Sequence, residues 1–240
     1  MSKVVAVNGS PRMARGTTAM ILGSFVGGME QAGAEVETVY ASRLKPKPCD
    51  CGEMRCWFKH PGECYRDDLR ELYLRLERAD ILVLATPVYV PLPGDFQHLL
   101  NRLSPLIDPV LATRQGRTRA RFREGVAIRK VVAVVVGGWW EKENLDPVVR
   151  IVRELAENAG AEFAGAVLRP HVEAMRRGGQ VTEEGREMLG QIENAGRELI
   201  RKGAVDGPML DAISRPLISR ATYNRWFSQS SSIASEDSAD

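Results

Sequence analysis

Residues 3–40 read KVVAVNGSPRMARGTTAMILGSFVGGMEQAGAEVETVY, and this stretch contains the repeating unit of an α/β protein. Residues 3–7 are almost entirely apolar, and apolar side chains then recur every three or four positions from about Thr17 to Ala32. Residues 35–40 alternate in character. These patterns predict a strand, a helix and a second strand. Two strands joined through a helix in this way predict a parallel sheet.

The remainder of the chain repeats the alternation of strands and helices. Three further strands are predicted at residues 81–85, 131–136 and 162–168, and further helices at about 67–78, 96–103, 146–159 and 183–202. The fold class is therefore α/β, with a doubly wound, five-stranded parallel sheet. Residues 43–66 and 108–129 have no clean period, and the second of these segments is irregular and basic.

The pattern also indicates how the chain is divided. We expect one α/β domain over residues 1–205, with a cysteine-containing loop at 45–66 after the second strand. A C-terminal extension follows at 206–227. Residues 228–240 are rich in Ser and in acidic side chains, which is typical of a disordered tail.

Composition excludes several classes of protein. The 240 residues contain 33 Lys+Arg and 31 Asp+Glu, and this net charge of +2 indicates no preference for nucleic acid. Hydrophobic residues make up 44% and charged residues 27%, as in ordinary globular proteins. The apolar runs are far shorter than the roughly 20 residues that cross a membrane. The N-terminal segment turns polar at Asn8 and does not read as a signal peptide, so we expect a cytoplasmic protein.

The loop after the first strand, residues 8–18, is rich in hydroxyl, glycine and arginine residues and precedes a helix. It has neither the Gly-x-Gly-x-x-Gly of a dinucleotide fold nor the Gly-Lys-Ser/Thr of a triphosphate loop. A helix N-terminus with free backbone N–H groups binds anions, and nearby hydroxyls add donors. The loop therefore predicts either a phosphate site or a plain helix cap by Thr17 or Thr18.

The loops after the third and fourth strands are unusual as well. The first, Thr86–Val90, contains Tyr89, against which a flat ring could rest. The alternative is a proline-rich turn with Tyr89 half-buried. The second begins Gly137-Gly138, where backbone can approach a ligand closely. In doubly wound sheets such loops meet at the carboxyl ends of the strands, where ligands bind.

Three motifs together resemble the NAD(P)H-dependent FMN reductase superfamily of flavodoxin-like proteins. They are, in chain order, Asn8-Gly9-Ser10-Pro11-Arg12, Gly16-Thr17-Thr18 and Thr86-Pro87-Val88-Tyr89. The stretch CWFKHPGEC at residues 56–64, Asp67-Asp68, and RPLISR at 215–220 with Tyr223 are similar to the iron–sulfur flavoprotein branch. The resemblance covers roughly residues 1–225. It implies a flavodoxin-like fold and FMN as cofactor.

The resemblance also implies site residues. The FMN phosphate would be bound by Ser10, Arg12, Gly16, Thr17 and Thr18. The flavin ring would be contacted by Pro87, Val88, Tyr89 and Val90, and Gly137 and Gly138 would lie near the ring or the ribityl chain. Asparagine is common in the family where this chain has Thr17, and a threonine hydroxyl can still donate there.

All four cysteines of the chain lie close together, at Cys49, Cys51, Cys56 and Cys64. Four thiolates suit a [4Fe–4S] cluster, and zinc is a rival. Zinc sites usually contain pairs of cysteines two to four residues apart, whereas Cys49 and Cys51 have a single residue between them. This spacing also departs from the Cys-x2-Cys-x2-Cys typical of the iron–sulfur branch. Disulfides, redox-sensing thiols and inert thiols stay open, and the interpretation adopted is a cluster held by all four.

The function expected is electron transfer through FMN and a [4Fe–4S] cluster, between a reduced donor (a ferredoxin-like protein or NAD(P)H) and an acceptor. The alternatives are an NAD(P)H:FMN or quinone reductase without a cluster, and a binding module stapled by zinc. The resemblance implies a homo-oligomer, a dimer or tetramer. No catalytic side chain is expected, because the cofactor carries the chemistry. Loop order allows the flavin and the cysteines both to lie near the carboxyl edge of the sheet. Residues 114–123 predict either an anion-attracting or a solvated arginine-rich loop.

Overall fold

The computed structural model describes residues 1–236, without the side chains of residue 67 and residues 230–236. Its strands are β1 Lys3–Asn8, β2 Glu35–Tyr40, β3 Ile81–Pro87, β4 Ile107–Arg114, β5 Arg117–Phe122, β6 Lys130–Val136, β7 Glu162–Arg169, β8 Arg176–Arg177 and β9 Gln180–Val181. Its helices are α1 Thr17–Gln31, α2 Ala41–Leu44, α3 Arg55–Phe58, α4 Arg70–Glu77, α5 Gly94–Asn101, α6 Asp146–Ala159, α7 Glu183–Lys202, α8 Gly207–Ser214 and α9 Arg220–Glu236.

The central sheet has five parallel strands in the order β2-β1-β3-β6-β7, which confirms the predicted doubly wound architecture. Asn8 is in register with Ala85, and Pro87 with Val136, so β1, β3 and β6 end at the same edge. The chain leaves β1 toward β2 on one side and returns through β3 on the other. The gap between β1 and β3 is therefore the switch point, where open α/β sheets bind ligands.

Helices cover both faces of this sheet. The core on one face contains side chains of α1, α7 and α8, and the core on the other contains side chains of α4, α5 and α6. β3 and β6 are buried over nearly their whole length, as their continuous apolar sequences predict. The sheet thus holds the loops at its carboxyl edge on a rigid, two-sided core.

Residues 108–129 are not irregular, and that prediction was wrong. β4 and β5 form an antiparallel hairpin whose turn residues Gln115 and Gly116 both have positive φ, as a two-residue hairpin turn requires. The sequence pattern did not reveal these strands, because arginines occupy the alternate positions of β5 where strands usually have apolar residues. These arginines pair with acidic groups of the fold: Arg117 and Arg119 with Glu154, and Arg121 with Asp108. Paired in this way, they do not favour the anion-attracting interpretation.

The C-terminal extension is more regular than expected. α8 and α9 follow α7, and the α9 backbone is helical to Glu236, which differs from the disorder expected from Ser228 onward. Aromatic contacts account for the first turns of α9, since Tyr223 and Phe227 stack on each other and Phe227 contacts Trp139. The expected disorder of residues 237–240 lies outside the described residues.

Among the described residues, no helix combines the length and apolar character needed to cross a bilayer.

Candidate functional site

The loop after β1 is tied to its neighbours at the switch point. The backbone N–H of Gly9 donates to the carbonyl of Ala85 at 2.7 Å, which joins the loop to the end of β3. Asn8 Oδ1 accepts from the N–H of Ser10 at 2.9 Å, and Ser10 Oγ accepts from the N–H of Arg12 at 3.3 Å. Ser10 is buried, with 4% of its surface exposed. These bonds fix the hydroxyl of Ser10 inside the turn.

The N-terminus of α1 lies in the same loop and has no side-chain cap. The residue before the helix is Gly16, which has no side chain to offer, so the plain cap by Thr17 or Thr18 is wrong. The first N–H groups of a helix lack intrahelical partners and favour an anion. A Cβ on Gly16 would lie 2.9 Å from Ser10 Oγ, so the cradle has no room for one. Asn8 Nδ2 is buried there without a partner in the described structure.

These features fit the phosphate end of FMN. Thr18 is 1% exposed and Thr17 half-buried, while Arg12 is exposed on the outer side of the turn. The loop thus combines free helix N–H groups, hydroxyls and a cation, which are the donors a phosphate needs.

The loop after β3 lies beside this cradle. The N–H of Val88 donates to the carbonyl of Val136 at 2.9 Å, and the N–H of Tyr89 to the carbonyl of Pro91 at 2.7 Å. Pro87 and Val88 are half-buried, whereas 53% of Tyr89 and 99% of Val90 are exposed. Backbone groups and an exposed aromatic ring therefore stand at the sheet edge, where a flat ligand ring could be received.

The loop after β6 completes this edge. Gly137 is buried, its N–H donates to the carbonyl of Arg169 at 3.0 Å, and a Cβ there would lie 2.9 Å from Leu145 Cδ1. Gly138 is exposed, and its carbonyl accepts from the hydroxyl of Tyr223 at 2.9 Å. The C-terminal extension therefore holds this loop in place through Tyr223. The sequence did not reveal this connection.

Two fully buried polar residues anchor the extension. Arg169 donates to the carbonyl of Ile213 at 2.7 Å and to that of Arg215 at 2.9 Å. His171 Nε2 accepts from the N–H of Leu217 at 3.1 Å, and Trp140 Nε1 donates to the carbonyl of Ile218 at 2.9 Å. Burial, and then the adjacent Arg215, lower the pKa of Arg169 to about 10. His171 therefore has a structural role in holding the extension.

The four cysteines lie around one narrow cavity of about 20 Å³. Cys49 is exposed, Cys51 and Cys64 are half-buried, Cys56 is buried, and all four are free thiols. The backbone N–H of Arg55 lowers the pKa of Cys51, whereas burial raises the pKa of Cys49 and Cys56. Within residues 1–236 no three ligands are placed as a preformed metal site. The donor set has the chemistry for a cluster or zinc without being assembled around one.

Packing fixes the position of this cysteine cavity. Trp57 Nε1 donates to the carbonyl of Ser104 at 2.9 Å, and Arg123 Nη2 to the carbonyl of Cys56 at 3.1 Å. Asn101 and Arg102, at the end of α5, line the cavity. The first turn of α5 instead meets the phosphate cradle, since a Cβ on Gly9 would lie 2.4 Å from Phe96 Cγ.

The two candidate sites therefore contact different parts of α5, the third residue of the helix at the cradle and its last residue at the cysteine cavity. The cysteine cavity thus lies toward the end of α5 that is farther from the carboxyl edge of the sheet. The cysteine loop leaves that edge after α2 and packs along the helix layer, because Trp57 and Cys64 bury themselves against residues of that layer.

Asp68 does not cap α4 in the structure. The residue before α4 is Leu69, without a side-chain cap, and Asp68 pairs with the 2%-exposed Arg102 at 2.7 Å. Burial opposes ionisation of Asp68, but the bond from Arg102, the backbone N–H of Lys47 and the charge of Arg102 together outweigh it and lower the pKa of the carboxyl.

The fold and the edge loops define a flavodoxin-like α/β protein with an anion cradle at the switch point. Residues 2–168 match the family described as NADPH-dependent FMN reductase, and the chain therefore belongs to that family of flavin-dependent oxidoreductases. An iron–sulfur flavoprotein of Archaeoglobus fulgidus is 36% identical over 106 residues, or 43% of this chain and 46% of that protein. An iron–sulfur flavoprotein of Methanocaldococcus jannaschii is 31% identical over 127 residues, or 52% and 61% respectively.

The chain spans about half the length of the curated relatives it matches. Among solved structures, an NAD(P)H:quinone oxidoreductase from Methanothermobacter marburgensis has a TM-score of 0.58 at 19% identity, covering 82% of this chain and 96% of that one. An FMN-dependent NADH-azoreductase from Bacillus anthracis, in complex with FMN, has a TM-score of 0.56 at 11% identity, covering 85% and 100%. At these identities the likeness concerns the fold.

The structure adds residues to the candidate site that sequence reasoning missed. Asn8 holds the turn through Oδ1, and Gly9 lets Phe96 pack under it. Both stand in the Asn-Gly-Ser-Pro motif, so the signal was present. Arg169 gave no signal of its own, because its partners are backbone carbonyls distant in sequence. Tyr223 was part of the resemblance, but its bond to the carbonyl of Gly138 was not predicted.

Proposed function

We propose that this chain is an FMN-dependent electron-transfer protein that passes electrons between a reduced donor and an acceptor through FMN and a [4Fe–4S] cluster held by Cys49, Cys51, Cys56 and Cys64. The donor is a ferredoxin-like protein or NAD(P)H. The flavin part of this proposal rests on one observation. The N-terminus of α1 has no side-chain cap in the described structure and lies beside the buried residues Ser10 and Thr18.

The chain's own residues would bind and orient the flavin. Ser10, Thr17, Thr18 and Arg12 would bind the phosphate, with Gly16 leaving room for it. The backbone of residues 87–90, with Tyr89, would contact the ring, and Gly137 and Gly138 would border the ribityl chain or the ring. Bound FMN supplies the redox chemistry, since it accepts one or two electrons. No side-chain acid or base is needed.

The cluster part of the proposal rests on the cysteine cavity and on the similarity to iron–sulfur flavoproteins. Four free thiols line one cavity, and proteins described as iron–sulfur flavoproteins match this chain. A reductase acting by hydride transfer alone needs no such group of cysteines. A zinc site would use the same thiols, so the metal must be determined by experiment.

Anaerobic purification followed by absorption spectroscopy tests the proposal. We expect flavin bands together with a broad visible shoulder that dithionite bleaches, and iron and sulfide in near-equal amounts. A colourless chain with stoichiometric zinc would refute the proposal. Rapid bleaching of the flavin by NADPH alone would identify NADPH, and not a ferredoxin-like protein, as the donor.

Replacing Ser10 and Thr18 by Ala tests the phosphate cradle. Each hydroxyl that donates to a charged phosphate contributes roughly 1.5 kcal/mol, so the double variant should bind FMN about a hundredfold more weakly. Ser24→Ala, on the same helix but away from the cradle, is the matched control. Fluorescence titration of the apoprotein with FMN measures the affinities, and equal values for the double variant and the control would disprove the assignment.

We also propose that the chain works as a homo-oligomer, a dimer or tetramer. Exposed apolar side chains beside the flavin loops, namely Tyr89, Val90 and Trp139, support a second copy packing there. Analytical ultracentrifugation tests this, and a monomer with bound FMN at micromolar concentration would exclude it.

A further inference from the structure

Three arginines, Arg55, Arg66 and Arg102, line the cavity around which the four cysteines lie. Its other lining residues in the described structure are uncharged apart from the thiols, and none of them is Asp or Glu. A cluster of cationic side chains around a narrow cavity is costly unless an anion compensates for it. Thiols in their protonated form would not supply that compensation.

Arg66 already has an acidic partner at the mouth of the cavity. It pairs with Asp50, and its Nε donates to the hydroxyl of Tyr65 at 2.9 Å. Its charge is therefore accounted for without a ligand.

Arg55 and Arg102 differ from Arg66, because each has a buried Nε–H without an acceptor in the described structure. Arg55 also has no carboxylate within ion-pair distance among the described residues, whereas the terminal nitrogens of Arg102 bond Asp68 and the carbonyl of Lys47. Buried polar groups without partners are rare in folded proteins and call for an explanation.

We infer that Arg55 and Arg102 are positioning residues for the four-thiolate cluster, whose sulfur atoms accept the two orphaned N–H groups and whose charge the guanidinium groups balance. This inference rests on the proposed function. The four thiolates outweigh the positive iron–sulfur core, so the group is anionic and becomes more so on reduction. Donors to sulfur and nearby positive charge therefore favour the reduced form and raise the reduction potential.

Arg55→Gln is the decisive variant, because Arg55 forms no ion pair that the fold depends on. Redox titration monitored by electron paramagnetic resonance should give a more negative cluster midpoint potential than in the wild type. Arg55→Lys keeps the charge but loses the planar donor, and should shift the potential less. Arg201→Gln removes the same charge from an exposed position on α7, across the sheet, and should leave the potential unchanged.

Three outcomes decide the matter, with circular dichroism confirming that each variant is folded. A shift in Arg55→Gln that exceeds those in Arg55→Lys and Arg201→Gln supports the inference. A wild-type chain that holds iron and sulfide while Arg55→Gln has the potential of Arg201→Gln overturns the inference and leaves the proposed function intact. A wild-type chain that binds no iron after anaerobic reconstitution overturns both together.

Discussion

His171 is a buried imidazole whose two ring nitrogens have different hydrogen-bonding roles. Nε2 accepts from the N–H of Leu217 and lies 3.2 Å from Arg169 Nη2, so the proton of the neutral ring is on Nδ1, 3.3 Å from the carbonyl of Trp140. Protonation at Nε2 would break the bond from Leu217 and place a second cation beside Arg169. Burial, and then Arg169, accordingly lower the pKa of His171 to about 4.

The stability of the protein should therefore fall as the pH is lowered from about 6.5 to about 4. The unfolded chain protonates this histidine near its ordinary pKa of 6.5, whereas the folded chain resists protonation to about 4. The unfolded state thus binds more protons in this window, and up to about 3 kcal/mol of folding free energy is lost across it. Urea denaturation at a series of pH values measures the effect.

His171→Asn should be less stable at pH 7 but lose the steepest part of this pH dependence. Asn tolerates the left-handed backbone at this position, where φ is 36°. His98→Asn, on a half-buried helix position, is the control and should keep the wild-type slope. An unchanged slope in His171→Asn would show that another group carries the effect.

Helices α1 and α7 pack in close backbone contact. A Cβ on Gly196 would lie 2.0 Å from the carbonyl oxygen of Phe25, and one on Gly28 would lie 1.8 Å from that of Glu193. Both obstacles are backbone atoms, which cannot rotate away. The two helices therefore touch through glycines, and this contact holds α1, whose N-terminus is the candidate phosphate site.

Gly196→Ala should destabilise the protein by about 1–3 kcal/mol, because the added methyl group forces the helices apart. Gly190→Ala on the same helix meets nothing within 4 Å and should be stabilising, by about 0.5–1 kcal/mol, since alanine is the better helix former. Guanidinium denaturation of the two variants gives the difference. If both changes stabilise the protein, the contact is looser than described.

The elements could be predicted where one physical signal dominated. The apolar runs of β3 and β6 and the 3.6-residue period of α1 marked them clearly. β5 was missed because its alternation is between arginines and small residues, and these arginines pair with acidic residues of α6, which a linear pattern does not reveal. α9 was missed because its aromatic contacts are with the distant Trp139.

For the whole molecule, the order of the strands predicted that the loops after β1, β3 and β6 meet at one edge, because neighbouring parallel strands end together. The same reasoning does not fix the position of the cysteine loop. A loop that begins at one edge can end anywhere within its reach, and here Trp57 and the Asp68–Arg102 pair draw it along α5. Long-range polar contacts of this kind set the position of a loop. The partners in these contacts cannot be identified from the sequence of the loop itself.

The separation of the two candidate sites predicts that they bind their ligands independently within one chain. Changes more than about 7–10 Å apart that share no partners contribute additively. The Ser10→Ala/Thr18→Ala variant should lose FMN affinity and keep its iron, whereas Cys49→Ser should lose iron and keep its FMN affinity. The combined variant should show both losses at their single-variant sizes. Iron analysis and FMN titration of the three proteins decide this, and a combined loss larger than the sum would mean that the cysteine loop and the flavin cradle meet across a subunit contact.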